Sequence, residues 1–453
     1  EDVTDSRAIS VRVQHTLVAM PDNEFEPRAA DYRVGYFTDR RTDLTSREVA
    51  PYRDMINRWH LVKKDPEAAI SDPVEPITWW IENTTPYEYR DMIKAAALSW
   101  NVAFEAAGFS NAVVVKQQPD DADWDAGDIR YNVLRWTASP NPPFGGYGPS
   151  FTNPRTGQII GADIMLEFSF LTNRLRIKDV LQPSGLAPHR SGRLCDLGAH
   201  LQMDQLFAAQ ALTANGVGSG LREQLIEDSM YMLILHEIGH TLGLTHNMRA
   251  SQLQPNVFDE SAVAATGLSG SVMDYEAVNV APPGQPQTPF YQNRPGLYDL
   301  WAIEYGYAPS LADDSAEQQR LETLLARSTE PELAYGNDAD DMRRPGRGID
   351  PHINIYDHSG DAVGYAEQRL QLVRTMRSDL LKNHRGETYQ ALYNSHVLLM
   401  NQLSRSGGVV SRYVGGVHIN RAPPGTSEVP PYRAVDAGQQ RRAMKVLATY
   451  IFA

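Results

Sequence analysis

Cysteine is nearly absent from this sequence: Cys195 is the single one among 453 residues. One thiol allows no intrachain disulfide, and Cys195 reads as a small buried hydrophobe, not a nucleophile. Long apolar runs are missing too. A membrane-spanning helix needs roughly 20 apolar residues, and the best stretch, Tyr231 to Leu235, is short and flanked by charge. No membrane span is therefore expected. Positive charge is scarce, with 42 Lys and Arg against 56 Asp and Glu and a net charge of −14. Nucleic-acid binding usually requires a basic face, so nucleic acid is not an expected partner. The chain opens at Glu1 without an initiator methionine or a recognisable signal peptide, and is expected to be a processed or trimmed piece of a longer protein.

What is present has the balance of a globular chain, 42% hydrophobic and 22% charged. With domains usually about 100 to 200 residues long, two or three folding units are expected. β-type alternation runs through Ile9, Val11 and Val13 and returns from Arg33 to Phe37. ITWWI, Ile77 to Ile81, reads as a buried strand. Thr85, Pro86 and Glu88 then predict an N-cap, a first-turn proline and a capping-box acid. Trp100, Ala103, Phe104 and Ala107 fall at i, i+3, i+4 and i+7 of that helix, which should stop near Gly108. Further strands are predicted over 112–115, 129–136, 147–151 and 159–166, and helices over 200–213 and 221–242. Beyond about residue 311 the pattern is mainly helical, apart from a hairpin near Val414-Gly415-Gly416-Val417. The fold class is α/β in the α+β sense, with a mixed five-stranded sheet above a long helix.

The chemistry concentrates in HEIGHTLGLTH, His236 to His246, which has the spacing HExxHxxGxxH. His236 and His240 stand one helical turn apart on one face, so both imidazoles can reach one zinc ion. Glu237 sits beside that ion without pointing at it, where a carboxylate can take a proton from an attacking water. Gly243 tolerates the left-handed conformation that ends a helix, and the reversal delivers His246 as the third ligand. Three protein ligands leave a fourth position open, the catalytic arrangement. A competing metal reading keeps His236 and His240 but takes Glu260 as third ligand; it leaves Gly243 and His246 unexplained.

Downstream, SVMDY, Ser271 to Tyr275, resembles the Met-turn of metzincins, the clan of astacins and serralysins. That resemblance implies that Met273 floors the three histidines and that Tyr275 is a tyrosine able to ligate zinc or swing to the substrate. It also makes 147–151 the edge strand above the cleft, with Gly148, Ser150 and Phe151 facing an extended substrate. SDPVEPITWWI, WNVAFEAAGF, NPRTGQI, HEIGHTLGLTHN, SVMDY and YDLWAIEYGY together resemble the Met-zincin family, a group of large, mostly uncharacterised bacterial zinc metalloproteases. The resemblance implies a β-rich segment over 1–65 that ends a longer region, a metzincin-like catalytic domain over 66–310 and a mainly helical region over 311–453. It also implies a secreted or periplasmic location.

Weaker signals remain. Asp338, Asp340, Asp341 and Asp350 could hold Ca²⁺ through hard oxygen ligands, but their spacing matches no EF-hand and a solvated acidic loop is the plainer reading. His352, His358 and His418 lack ligand spacing and read as ordinary surface or core residues. Asp299 and Glu304 are either outer partners of the metal-binding histidines or simple helix-capping and salt-bridge groups. The expected function is a zinc-dependent metalloendopeptidase with one Zn²⁺ per chain, acting on a peptide or protein substrate. A zinc amidase for a non-protein amide and a catalytically silent, zinc-stabilised binding protein are the alternatives.

Overall fold

The computed structural model describes residues 13, 15–139, 146–172, 197–214, 219–342 and 348–452. Ile9, Val11 and Cys195 lie outside the described residues. Within 33–37 the expected strand is reduced to a single bridge, Tyr36 with Leu244. Regular pairing begins just afterwards, between the antiparallel strands β1 (Thr38–Thr42) and β2 (Tyr52–Ile56).

The central sheet holds β3 (Ile77–Ile81), β4 (Val113–Gln117), β5 (Asn132–Thr137), β6 (Gly146–Tyr147), β7 (Ser150–Thr152) and β8 (Ile159–Glu167). Its order is β4-β3-β5-β8, all parallel, and both β6 and β7 pair antiparallel with β8. The six strands thus occupy five positions, as expected of a mixed sheet, with the antiparallel edge in two pieces. Ile77, Trp79 and Ile81 alternate into the core, which is the two-residue period of a strand buried on one face.

Between β3 and β4 run α1 (Tyr87–Leu98) and α2 (Asn101–Ala106). The capping box predicted at Thr85 does not form. Its amide is engaged by Glu82 O at 3.0 Å in the turn leaving β3, so Pro86 takes the N-cap position and the helix starts one residue later, with no side-chain cap. Gly108 does end this region, at φ +88. Trp100, Ala103, Phe104 and Ala107 are buried as their spacing predicted.

Then come α3 (Leu197–Ala214), α4 (Ser219–Thr241), α5 (Glu260–Thr266), α6 (Leu297–Tyr307) and α7 (Asp314–Ala326). The C-terminal part adds α8 (Asp338–Asp341), α9 (Ala362–Ser378), α10 (Leu380–Asn383), α11 (Tyr389–Ser411) and α12 (Ala437–Tyr450). The hairpin expected at 414–417 is not there. Gly415 is left-handed at φ +72, and Val417 begins β9 (Val417–Ile419), whose partner is the distant β10 (Tyr432–Ala434). No helix among the described residues is long and apolar enough to cross a membrane. One hydrophobic core gathers Val34 and Tyr36, the sheet and α1 to α4, and reaches Val373, Met376 and Leu399, so each expected segment contributes to it.

Candidate metal centre

From Met232 to Leu235 and again at Ile238, α4 is buried on nearly every side. A helix that is apolar all round belongs in the centre of a fold, and Trp100 fixes it there by donating its indole N–H to Leu235 O at 3.1 Å. The helix ends in a Schellman turn. Leu244 N donates to Gly239 O at 3.0 Å and Gly243 N to His240 O at 3.0 Å, while Gly243 adopts φ +99. Two remaining end carbonyls are satisfied from outside: Trp59 Nε1 donates to Thr241 O at 2.8 Å and Tyr307 Oη to Leu242 O at 2.8 Å. Any Cβ on Gly243 would also collide with the carbonyl oxygen of Asn57, so glycine is required there for space as well as for φ. The reversal brings His246 back beside His236 and His240, as the spacing predicted.

Each imidazole of this trio is oriented by its Nδ1. His236 Nδ1 lies 2.7 Å from Val272 O, His240 Nδ1 2.9 Å from Leu244 O, and His246 Nδ1 3.1 Å from Asp338 Oδ1. Carbonyl and carboxylate oxygens only accept, so the proton of each neutral ring sits on Nδ1 and each Nε2 carries a lone pair. His240 Nε2 and His246 Nε2 nevertheless face each other at 3.1 Å, and the buried His236 Nε2 has no hydrogen-bond partner among the described residues. Two opposed lone pairs at that distance repel unless a proton or a metal ion lies between them. Nitrogens bound tetrahedrally to one zinc at about 2.0–2.1 Å stand about 3.3–3.4 Å apart, close to what is found. Burial, reinforced by the two neighbouring imidazoles, holds His236 well below the usual imidazole range. Burial and then His246 bring His240 down to about 3, so these rings stay in the neutral, metal-binding form.

A second group, Asp350, His352 and His418, also has ligand-type atoms within 4.8 Å of one another, which the spacing of those histidines did not suggest. Its electrostatics oppose a cation. Arg249 Nη1 is 3.4 Å from Asp350 Oδ2, Arg412 donates to Asp350 O at 3.0 Å, and Asp350 Oδ1 already engages His418 at 3.3 Å. The solvated acidic loop is corrected as well: Asp338, Asp341 and Asp350 are buried and only Asp340 is exposed. The buried three serve different partners, Asp338 the ring of His246, Asp341 the Arg421 guanidinium and Asp350 the group just described. Their carboxylates do not converge on one point, and calcium gains no support.

Glu237 is fully buried and lines a cleft of about 1420 Å³ together with His240 and His246. The sheet edge presses close to it. A Cβ at Gly148 would lie 2.8 Å from Glu237 O and 3.2 Å from its Oε2, and one at Gly146 would lie 3.1 Å from Oε1. Gly148, Ser150 and Phe151 all line the same cleft. Below the helix, the sulfur of Met273 abuts Gly239 so tightly that no side chain would fit there. Tyr275 is buried with its ring 4.8 Å from that of His246 and 5.6 Å from that of His236. Asp299 caps the start of α6 and also bonds the segment before Met273. It accepts from Ser271 Oγ at 2.5 Å, Val272 N at 2.9 Å and Gly296 N at 2.8 Å, and Val272 is the residue whose carbonyl meets His236. Glu304 is half-buried on the opposite side of that helix's run, where Arg327 and Arg320 supply the nearby charges. Glu260 is exposed at the start of α5, beside a separate cavity it shares with Gln292 and Arg294.

Two contributors were not anticipated. Asp338 was seen only as one of several acids, yet it holds His246 from 92 residues away. The segment around Phe37 was read as structure without chemistry, yet its phenyl ring packs 5.6 Å from that of His240 at the cleft.

The sequence model of the Met-zincin family matches residues 218–453, and that of a domain of unknown function matches residues 1–64. No curated protein and no solved structure matches the chain.

Proposed function

Given that the chain belongs to the Met-zincin family, we propose that it is a zinc-dependent endopeptidase whose ion is held by Nε2 of His236, His240 and His246. The convergence of the three histidines carries this reading: their ligand atoms lie within 4.8 Å of one another, close enough to share one metal ion. Bound there, zinc would supply Lewis acidity, lowering the pKa of a water and polarising a substrate carbonyl.

The chain's own residues divide the remaining work. Glu237, buried in the helix between two ligands, takes the proton of the attacking water and returns it to the departing amine. Its enclosure by the sheet edge keeps bulk water from competing as proton acceptor. Tyr275, packed against the ligand rings of the Met-turn side, offers a phenol O–H toward the oxygen that gains charge as the carbonyl becomes tetrahedral. Gly148, Ser150 and Phe151 form the strand edge against which an extended peptide lies, a mode in which backbone hydrogen bonds give affinity and side-chain pockets give selectivity.

The test is digestion of a complex peptide library by the zinc-loaded protein and by Glu237→Gln, with new termini read by mass spectrometry. Cleavage by wild type, lost in Glu237→Gln and on chelation while zinc content of the variant stays at one per chain, is expected. Inertness toward every peptide combined with Glu237-dependent turnover of a non-peptide amide would replace the peptidase reading with the amidase one.

A further inference from the structure

The N-terminal segment is clasped to the metal centre. Tyr36 pairs with Leu244, directly after the reversing Gly243. Phe37 N donates to Gly243 O at 2.7 Å, Thr245 N to Gly35 O at 3.0 Å, and Asn57 N to Phe37 O at 2.8 Å. Farther back, Tyr36 Oη donates to Ala302 O at 2.7 Å and Arg33 pairs with Glu322 at 2.9 Å, which ties the same segment to α6 and α7. Both backbone groups of Phe37 are therefore engaged by the fold, and its position is set by the chain and not by its own side chain.

That side chain points to neither of the places an ordinary phenylalanine occupies. It is left 42% exposed, although Val34 and Tyr36 of the same segment are in the core. A lone exposed apolar side chain needs no explanation on an open surface. Here the ring lines the cleft and lies 5.6 Å from the ring of a metal ligand. Phe151, from the sheet edge, lines the same cleft with a comparable exposure of 41%. The reacting carbonyl has to approach the one open position of the metal, so the substrate side chain next to it comes within reach of the ligand imidazole and of whatever packs on that imidazole.

We propose that Phe37 forms the wall of a substrate pocket for an apolar or aromatic side chain flanking the scissile bond, which makes the N-terminal segment part of substrate recognition. This rests on the peptidase reading. It names the substrate class as peptides with a large apolar residue beside the bond, and it gives the segment around Phe37 a role in the same reaction.

Phe37→Ala and Phe37→Leu leave the segment's backbone bonds in place. Two measurements on zinc-loaded protein separate the claims. The first is cleavage of a peptide library, scored as the ratio of kcat/KM for large apolar against small flanking residues. The second is calorimetric binding of two peptide hydroxamates that differ only by benzyl versus hydrogen beside the chelating group. Each missing pocket contact of this kind shifts such a ratio roughly 10-fold or more. Both ratios should collapse by about that factor in Phe37→Ala and be largely restored in Phe37→Leu, with zinc content unchanged. Ratios that stay at the wild-type value in Phe37→Ala in both assays overturn the pocket and leave the peptidase reading standing. No cleavage by wild type, together with a benzyl preference that Phe37→Ala abolishes, overturns the peptidase reading and leaves the pocket.

Discussion

Removing the Asp338 carboxylate tests the metal centre from outside it. Of the three acceptors that orient the ligand rings, two are the backbone carbonyls of Val272 and Leu244, which substitution cannot delete; Asp338 is the one that can be removed cleanly. Its side chain is 8% exposed and that of His246 14%, so water cannot easily take over the 3.1 Å contact. A carboxylate behind a metal-binding imidazole fixes the ring and raises its basicity, and losing such a partner typically weakens metal binding by about 10- to 100-fold. That is about 1.4 to 2.8 kcal/mol. Asp338→Asn keeps an acceptor but loses the charge, and should fall between Asp338→Ala and wild type. Competition titration of zinc against a chromophoric chelator reads the constant directly. Asp340→Ala, two residues away on the exposed face, is the control and should match wild type. A zinc affinity in folded Asp338→Ala within twofold of wild type would refute the role of this carboxylate.

Tyr275→Phe should lower kcat about 10²- to 10³-fold, the usual loss for one donor to a developing oxyanion, with zinc affinity nearly unchanged; steady-state kinetics showing kcat intact would remove the residue from the mechanism. Gly243→Ala meets both a left-handed φ, costing about 1–2 kcal/mol, and the Asn57 carbonyl, so its melting temperature should drop by several degrees and zinc should bind more weakly; an unchanged melting curve would contradict the packing described. His240 titrates near 3 when folded but near the ordinary value of 6.5 when unfolded, so below 6.5 the unfolded chain binds the extra proton. Its contribution to stability is therefore complete above 6.5 and is lost progressively as pH falls toward 3. Melting of metal-free protein should drop from pH 7.5 to 5.5, and His240→Gln should flatten that slope; equal slopes would count against the assignment.

The parts of the site that were legible in the sequence are those encoded within a few turns of chain. Spacing along one helix fixed His236, Glu237 and His240, and the glycine needed for a left-handed reversal located His246. Strands and helices with strong periodicity, such as 77–81 and the run carrying Trp100 and Phe104, were readable for the same reason. What failed depended on partners far away. Asp338 was indistinguishable from neighbouring acids because only folding brings it to His246. Phe37 carried no signal because its meaning comes from docking beside α4. Thr85 looked like a cap because local spacing allowed it, and a turn bond from Glu82 overrode that preference. Asp350 looked solvated because the two arginines that surround it come from residues 249 and 412.

The bonds that join Gly35 and Phe37 to Thr245 and Gly243 also set a thermodynamic relation between two ends of the molecule. The same three-residue stretch that receives the N-terminal segment positions the third histidine. Any preference of the docked segment for the metal-loaded arrangement must be matched by an equal preference of the metal for the docked segment, since coupling free energies are reciprocal. Zinc affinity should then report docking, and docking should report zinc. During synthesis the N-terminal segment emerges first, but its binding surface exists only after residue 307 has been made, because α6 supplies Ala302 and Tyr307. Completion of the metal centre is thus delayed until α6 has been made, which ties full metal affinity to the docked fold.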